Sequence, residues 1–426
     1  MFRILDLPPE LIGNVCDYVG RYDLQRLRLS CKALKAHSIT SFGTRFFDHL
    51  IAFLHPLSLG VLLEISRHTD LSKFVKRITI SGEKLRRCTT KNDELLLSMQ
   101  TTMGKSGLDI LMLTEIFKSL HNLASAQIDT SSYQYNNHIQ GLRCGYSSLM
   151  PFGRPEGDFG PFVEEEHGYT RVFKSVFQAL ELAGAHERVL LDLCLYHLFD
   201  DGEEIRFFDT DGALWVNSLS RNVRKLAFLC ETNTPWCQDL LKSTPNIENL
   251  TAEVNGDTFQ LCHPNGDMFH WPKLRHLDLD DVTFSHVDLV AFLELHRSTV
   301  AELEFQGVNI QGGSWMEPFQ IMRQMPKLKL LLMCLLYAQT PTASPVTNFD
   351  IYGTPNLRGA FYQSTRYLKG ESVHLALDVL MGDLSMTASG PRHDWQRGRS
   401  FVDFRKVGAA MKGQLGLEGT DWKLKE

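Results

Sequence analysis

Two periodicities run along the chain, one helical near its beginning and one strand-like beyond. Leu7, Leu11, Val15 and Tyr18 or Val19 are spaced for one side of a helix, with Pro8 and Pro9 suited to its first turn and Gly20 placed to end it. Asp23 can cap a second helix that lines up Leu24, Leu27 and Cys31. Ser30 can cap a third short turn carrying Cys31, Leu34 and the basic pair Lys32 and Lys35. Helices this short are unstable alone in water, so they must pack on one another and on a partner. Leu59, Leu62, Leu63 and Ile65 predict a further helix before the pattern changes.

From Val75 the apolar residues fall into short runs, apolar-x-x-apolar-x-apolar. The clearest start at Val223, Ile247, Leu274, Val300 and Leu328, with a degraded copy at Leu357, so that successive starts lie 24 to 29 residues apart. Pro245, Pro272, Pro326 and Pro355 precede several of them. Less regular copies begin at Val75 and Leu123, a separation of 48 that leaves room for one unrecognised strand between them. Val172, Phe173, Val176, Phe177 and Leu180 make an amphipathic helix, followed by a strand in "RVLLDL". The spacing lies in the range of leucine-rich repeats and predicts an α/β repeat, an irregular leucine-rich-repeat-like solenoid with parallel strands. Unrelated βα units in an ordinary α/β sheet are the alternative.

Strand alternation also sorts the faces. Positions between the buried ones read Asn249, Thr251 and Glu253, then His276, Asp278 and Asp280, then Glu302, Glu304 and Gln306, and then Leu330, Leu332 and Cys334. Acid thus passes into apolar side chains across one face. That face is expected either to receive a protein segment carrying Lys or Arg beside an apolar anchor, or to lie under a loop or the C-terminal tail. The candidate substrate-binding residues are His276, Asp278, Asp280, Glu302, Glu304, Leu330 and Leu332.

Composition narrows the function. The 426 residues are 43% hydrophobic, enough for more than one core. Forty-four Lys and Arg against 50 Asp and Glu give a net charge of -6, and no basic block offers itself to a phosphate backbone, so nucleic acid is not the expected partner. Nine cysteines stand singly without a CxxC pair, which fits a reducing compartment. No charged and apolar leader follows Met1, and the longest apolar run, "LKLLLMCLLYA", is too short to cross a bilayer. A cytoplasmic or nuclear protein with no membrane association is expected.

Catalytic motifs are missing from the pattern. "GKS" at Gly104 to Ser106 resembles the end of a phosphate loop, but Met99 stands where its first glycine belongs, and Leu95 to Met103 reads as a helix. The acidic clusters at Glu164–Glu166 and Asp200–Glu204 have no ligand frame. His263, His270, His276, His286 and His296 lack metal-site spacing and read as surface or strand residues. No GxSxG is present. Neither a metal, a cofactor nor a catalytic residue is expected.

The first helices carry a family resemblance. "LPPELIGNVCDYV" followed by "DLQRLRLSCKAL" resembles an F-box, in which a Leu-Pro start, a Glu-Leu pair, a central Asp-Leu and a Cys-Lys end recur in that order. The family commonly has Val at the place of Ser30 and an aromatic residue at that of Leu34. Together with the repeat-like strands, the chain is similar to F-box proteins of filamentous fungi. The resemblance implies a three-helix F-box over residues 1–48, a linker helix over 49–72, a repeat-like substrate-binding domain over 73–390 with a long loop at 129–170, and a tail over 391–426. It also implies a non-catalytic substrate receptor of a Skp-cullin-F-box ubiquitin ligase. Leu7, Pro8, Leu11, Ile12, Leu24, Leu27, Cys31 and Lys32 would face the Skp adaptor, and through it a cullin, while an unknown protein is the substrate. A binding module working with the adaptor outside a ligase, or an enzyme with an unrecognised site, are the alternatives.

Overall fold

The computed structural model describes residues 4–82, 91–130, 142–145, 168–195, 208–230, 235–254, 259–262, 266, 268–334 and 337–339, with three short pieces between 373 and 381. The chain divides into two compact units, Met1–Tyr196 with Arg206–Val223, and His197–Ile205 with Arg224–Glu426.

The first unit opens with four helices: α1 (Pro9–Tyr18), α2 (Arg21–Ser30), α3 (Lys32–His37) and α4 (Ile39–Phe47). Pro9 occupies the first turn of α1, where a missing amide costs nothing. Asp48 alone joins α4 to strand β1 (His49–Phe53). After α5 (Pro56–Arg67) come β2 (Arg77–Ser81), α6 (Lys91–Ser106), α7 (Leu108–Ser119), β3 (Ser125–Asp129), β4 (Leu142–Arg143), α8 (Gly168–Leu182) and β5 (Leu190–Leu195). These strands form a parallel sheet in the order β4-β1-β2-β3-β5. Leu50, Ile78, Ala126 and Leu191 share one register row and are buried, as expected where helices cover a parallel sheet. The amphipathic helix α8 turns Phe173 and Phe177 toward Phe208 and Trp215, an edge-to-face and tilted cluster.

Behind the sheet, the buried Asp109 near the start of α7 accepts from Arg171 Nη2 at 2.9 Å and Ser175 Oγ at 2.7 Å, both on α8. An added Cβ on Gly104 would collide with that guanidinium. The glycine of the "GKS" triplet therefore serves an ion pair between helices, not a phosphate.

The second unit carries β6 (Val223–Cys230), α9 (Pro235–Ser243), β7 (Asn249–Val254), β8 (His276–Asp280), β9 (Thr283–Ser285), α10 (His286–His296), β10 (Glu302–Gln306), β11 (Asn309–Gln311), α11 (Met316–Arg323), β12 (Leu330–Cys334) and β13 (Tyr337–Gln339). β6, β7, β8, β10 and β12 are consecutive parallel neighbours, in the order and direction their apolar runs predict. Their inward residues, among them Leu250, Leu277, Leu303 and Leu331, are buried in one row.

Several expectations need correction. The units are α/β layers and not a leucine-rich-repeat solenoid, because the returns share no common form. Two helices separate β2 from β3, a short strand and a helix separate β8 from β10, and an isolated antiparallel bridge, Cys262 to Met268, lies between β7 and β8. Any βα crossover leaves the same alternating apolar strand in sequence, so spacing could not tell these apart. β2 and β3 pair directly, leaving no place for an unrecognised strand between them. The linker segment begins with strand β1, and the long loop contains β4, paired with β1. A second parallel sheet, β9-β11-β13, is built from strands too short to register as a pattern. The Leu357 copy, the two acidic clusters, His263 and the tail lie outside the described residues.

Candidate functional site

Helix α1 has two apolar sides. Ile12 and Cys16 are buried against the rest of the helical cluster. Turned about 100° away on each turn stand Leu11, Val15 and Tyr18, at i, i+4 and i+7. Leu11 keeps 47% of its surface and Tyr18 92%. Leu5, ahead of the helix, is similarly exposed. On α2, Leu24 points inward, while Tyr22 and Leu29 stand seven residues apart on the outside, Leu29 with 87% of its surface bare. Apolar side chains lined up this way in water mark a surface that another molecule covers.

What holds that surface is a compact set of contacts behind it. The Arg28 guanidinium lies 3.9 Å over the Phe42 ring and donates to Lys35 O at 2.9 Å and Ser38 Oγ at 3.2 Å. Arg21 sits 4.7 Å over Phe46, and Arg45 donates to the Val19 and Asp17 carbonyls at the end of α1. The Cys31 thiol accepts from the Leu34 amide and caps α3. Burial raises the Cys16 thiol above its usual value and lowers the Arg28 guanidinium below its own.

The family model of the F-box domain matches residues 4–40. The chain therefore begins with an F-box. A comparison with curated proteins finds no match to the chain, and the F-box match lends no support to the leucine-rich-repeat or filamentous-fungal resemblance. Of the residues that the resemblance turned toward an adaptor, Pro8, Leu11 and Lys32 are exposed, and Leu7, Leu27 and Cys31 are half-buried. Ile12 and Leu24 are buried within the F-box and hold it together. Val15, Tyr18, Tyr22, Leu29 and Leu5 are additional bare positions. The helical stripe through Leu11 already contained Val15 and Tyr18.

The second predicted surface lies on the outward face of the β7-β8-β10-β12 rows. Asn249, His276, Glu302 and Leu330 form one row, and Thr251, Asp278, Glu304 and Leu332 the next. Glu253, Asp280 and Gln306 form the third. The first row is internally compensated, with His276 3.2 Å and Lys329 3.3 Å from Glu302. The other two are not. Gln306 donates to Asp280 at 2.9 Å, but among the described residues no cation pairs with Asp278, Asp280, Glu253 or Glu304. Burial, then the neighbouring Asp280, Asp281 and Asp278, push Glu253 up to about 7. Burial and Glu304 push Asp278 up to about 6, and burial and Asp281 push Asp280 to about 6. Leu330 is half-buried and Leu332 is buried, so of the two expected arrangements the open one does not hold at the apolar end of this face. Alternation fixes the side on which a residue points, not what lies over it.

Within the first unit, the side of the sheet opposite the Leu50 and Ile78 row is different. There His49 Nε2 lies 2.8 Å from Thr79 Oγ1, Thr79 donates to Gln127, and Gln127 donates to Cys194 Sγ. These polar groups satisfy one another. Among the described residues no group of three or more His, Cys, Asp or Glu is arranged to hold a metal ion.

Proposed function

We propose that this chain is the non-catalytic substrate-recognition subunit of a Skp-cullin-F-box ubiquitin ligase. The observation that carries the reading is the bare apolar stripe of α1 within the matched F-box. In that role the stripe docks on the Skp adaptor, which attaches the chain to a cullin in the cytoplasm, the nucleus or both. The rest of the chain contributes proximity: holding a target near the charged ubiquitin-conjugating enzyme raises the effective concentration of its lysines. The outward face around Asp278, Asp280 and Glu304, flanked by His276, Glu302 and Leu330, is the candidate target surface. Its uncompensated carboxylates favour a target segment bearing Lys or Arg.

Leu11→Asp with Tyr18→Asp tests the reading. Both side chains are solvent-exposed, so the variant keeps the wild-type melting temperature, yet it places charge in an interface that must be dry. Adaptor capture from a co-expressing cell is expected to fall to background, and cullin with it. Adaptor recovered at wild-type level would refute the docking surface. Adaptor recovered without cullin from the wild-type chain would instead favour a role outside a ligase.

A further inference from the structure

The matched segment ends at residue 40, but α4 runs on to Phe47 and meets β1 after a single residue. We propose that Gly43 is a positioning residue that fixes the F-box in one pose on the first sheet, with α4 as a rigid joint in place of a linker. The joint stands on contacts within the first unit; its bearing on ubiquitin transfer rests on the adaptor reading above.

α4 is gripped from two sides. Toward the F-box, Phe42 and Phe46 lie beneath Arg28 and Arg21. On the other side Gly43 faces the ring of Phe74, which belongs to the turn leading into β2. A Cβ on Gly43 would stand 2.1 Å from Phe74 Cδ2 and 2.3 Å from Cε2, distances no real contact tolerates. The ring is seated on bare backbone. The same turn is held a second time at Asp48, whose carbonyl accepts from the Lys76 and Arg77 amides at 3.0 and 2.9 Å and whose carboxylate lies 2.8 Å from Arg77 Nη2. Rotation of α4 about its axis must break one grip or the other. An F-box docked through Leu11 and Tyr18 therefore presents the first sheet at a set angle.

Hydrogen exchange on the purified full chain, paired with adaptor capture, tests this. Gly43→Leu displaces the ring, and the Lys76 and Arg77 amides are expected to exchange about tenfold faster or more, with adaptor capture within about twofold of wild type. Adding Phe74→Ala opens the space that the leucine needs and is expected to restore slow exchange. Unchanged exchange in Gly43→Leu, or no recovery in the double variant, would overturn the proposal. So would loss of adaptor capture in both variants, since Gly43 would then belong to the fold of the F-box itself.

Discussion

His296, the last residue of α10, is a core residue. Its Nε2 accepts the Trp271 amide at 3.0 Å and its Nδ1 lies 2.9 Å from the Phe292 carbonyl, an arrangement that needs the neutral ring with its proton on Nδ1. Burial lowers it to about 4, His270 adds a smaller push in the same direction, and the Phe292 carbonyl opposes both. An unfolded histidine titrates near 6.5. Between those values the unfolded chain binds the extra proton, so the stability His296 contributes is complete above pH 6.5 and is lost as pH falls toward 4. His296→Phe leaves the Trp271 amide without its acceptor, at a cost of about 1–3 kcal/mol near neutral pH. It should also flatten the acid side of the curve, so the deficit against wild type, followed by denaturant midpoints, narrows from pH 7 to pH 4. A deficit constant with pH would show that the ring does not titrate on unfolding. The sequence reading of His296 as a surface or strand residue is corrected here: it is buried at a helix end, and its partner lies 25 positions back, so only the fold brings the two together.

Across an element, charge obeys the opposite sign. Glu253, Asp278 and Asp280 have folded values raised to about 7, 6 and 6, above their ordinary 4.5, 3.8 and 3.8. Their contribution is therefore fully present below about pH 4 and is lost as pH rises through 6 to 7. Asp278→Asn with Asp280→Asn should be more stable than wild type at pH 8, with the gain gone near pH 4, as thermal melts would read. If the same face receives a basic segment, this variant also loses salt-sensitive partners from its captured set; an unchanged set and salt response would place the target surface elsewhere. These rows were legible because alternation assigns Thr251, Asp278 and Glu304 to one side whatever the crossovers do. The burial of Leu332 was not, since alternation fixes the side on which a residue points and not what lies over it. In the F-box the helical stripe identified Leu11 and Tyr18, but the family pattern could not separate exposed positions from the buried Ile12 and Leu24. A recurring apolar residue can serve a core or an interface equally well.

At the scale of the whole molecule, the α/β class and the identity and direction of strands were legible, but not the choice between a repeat solenoid and an ordinary α/β sheet. The runs that begin at Ile247, Leu274, Val300 and Leu328 each became a parallel strand next to their predecessor in the second unit, yet β1, β4 and the second sheet came from stretches too short or too mixed to show a period. The order of the second unit has a consequence for how it is made. Leu226 pairs with Leu250, Leu250 with Leu277, Leu277 with Leu303, and Leu303 with Leu331, so each strand meets its neighbour after only 24 to 28 residues. Each strand of this sheet after β6 therefore has a partner already synthesised close behind it, so pairing does not have to wait for a distant late segment. Synthesis interrupted between two strands would release a shorter sheet with one fresh edge in place of an unfolded chain.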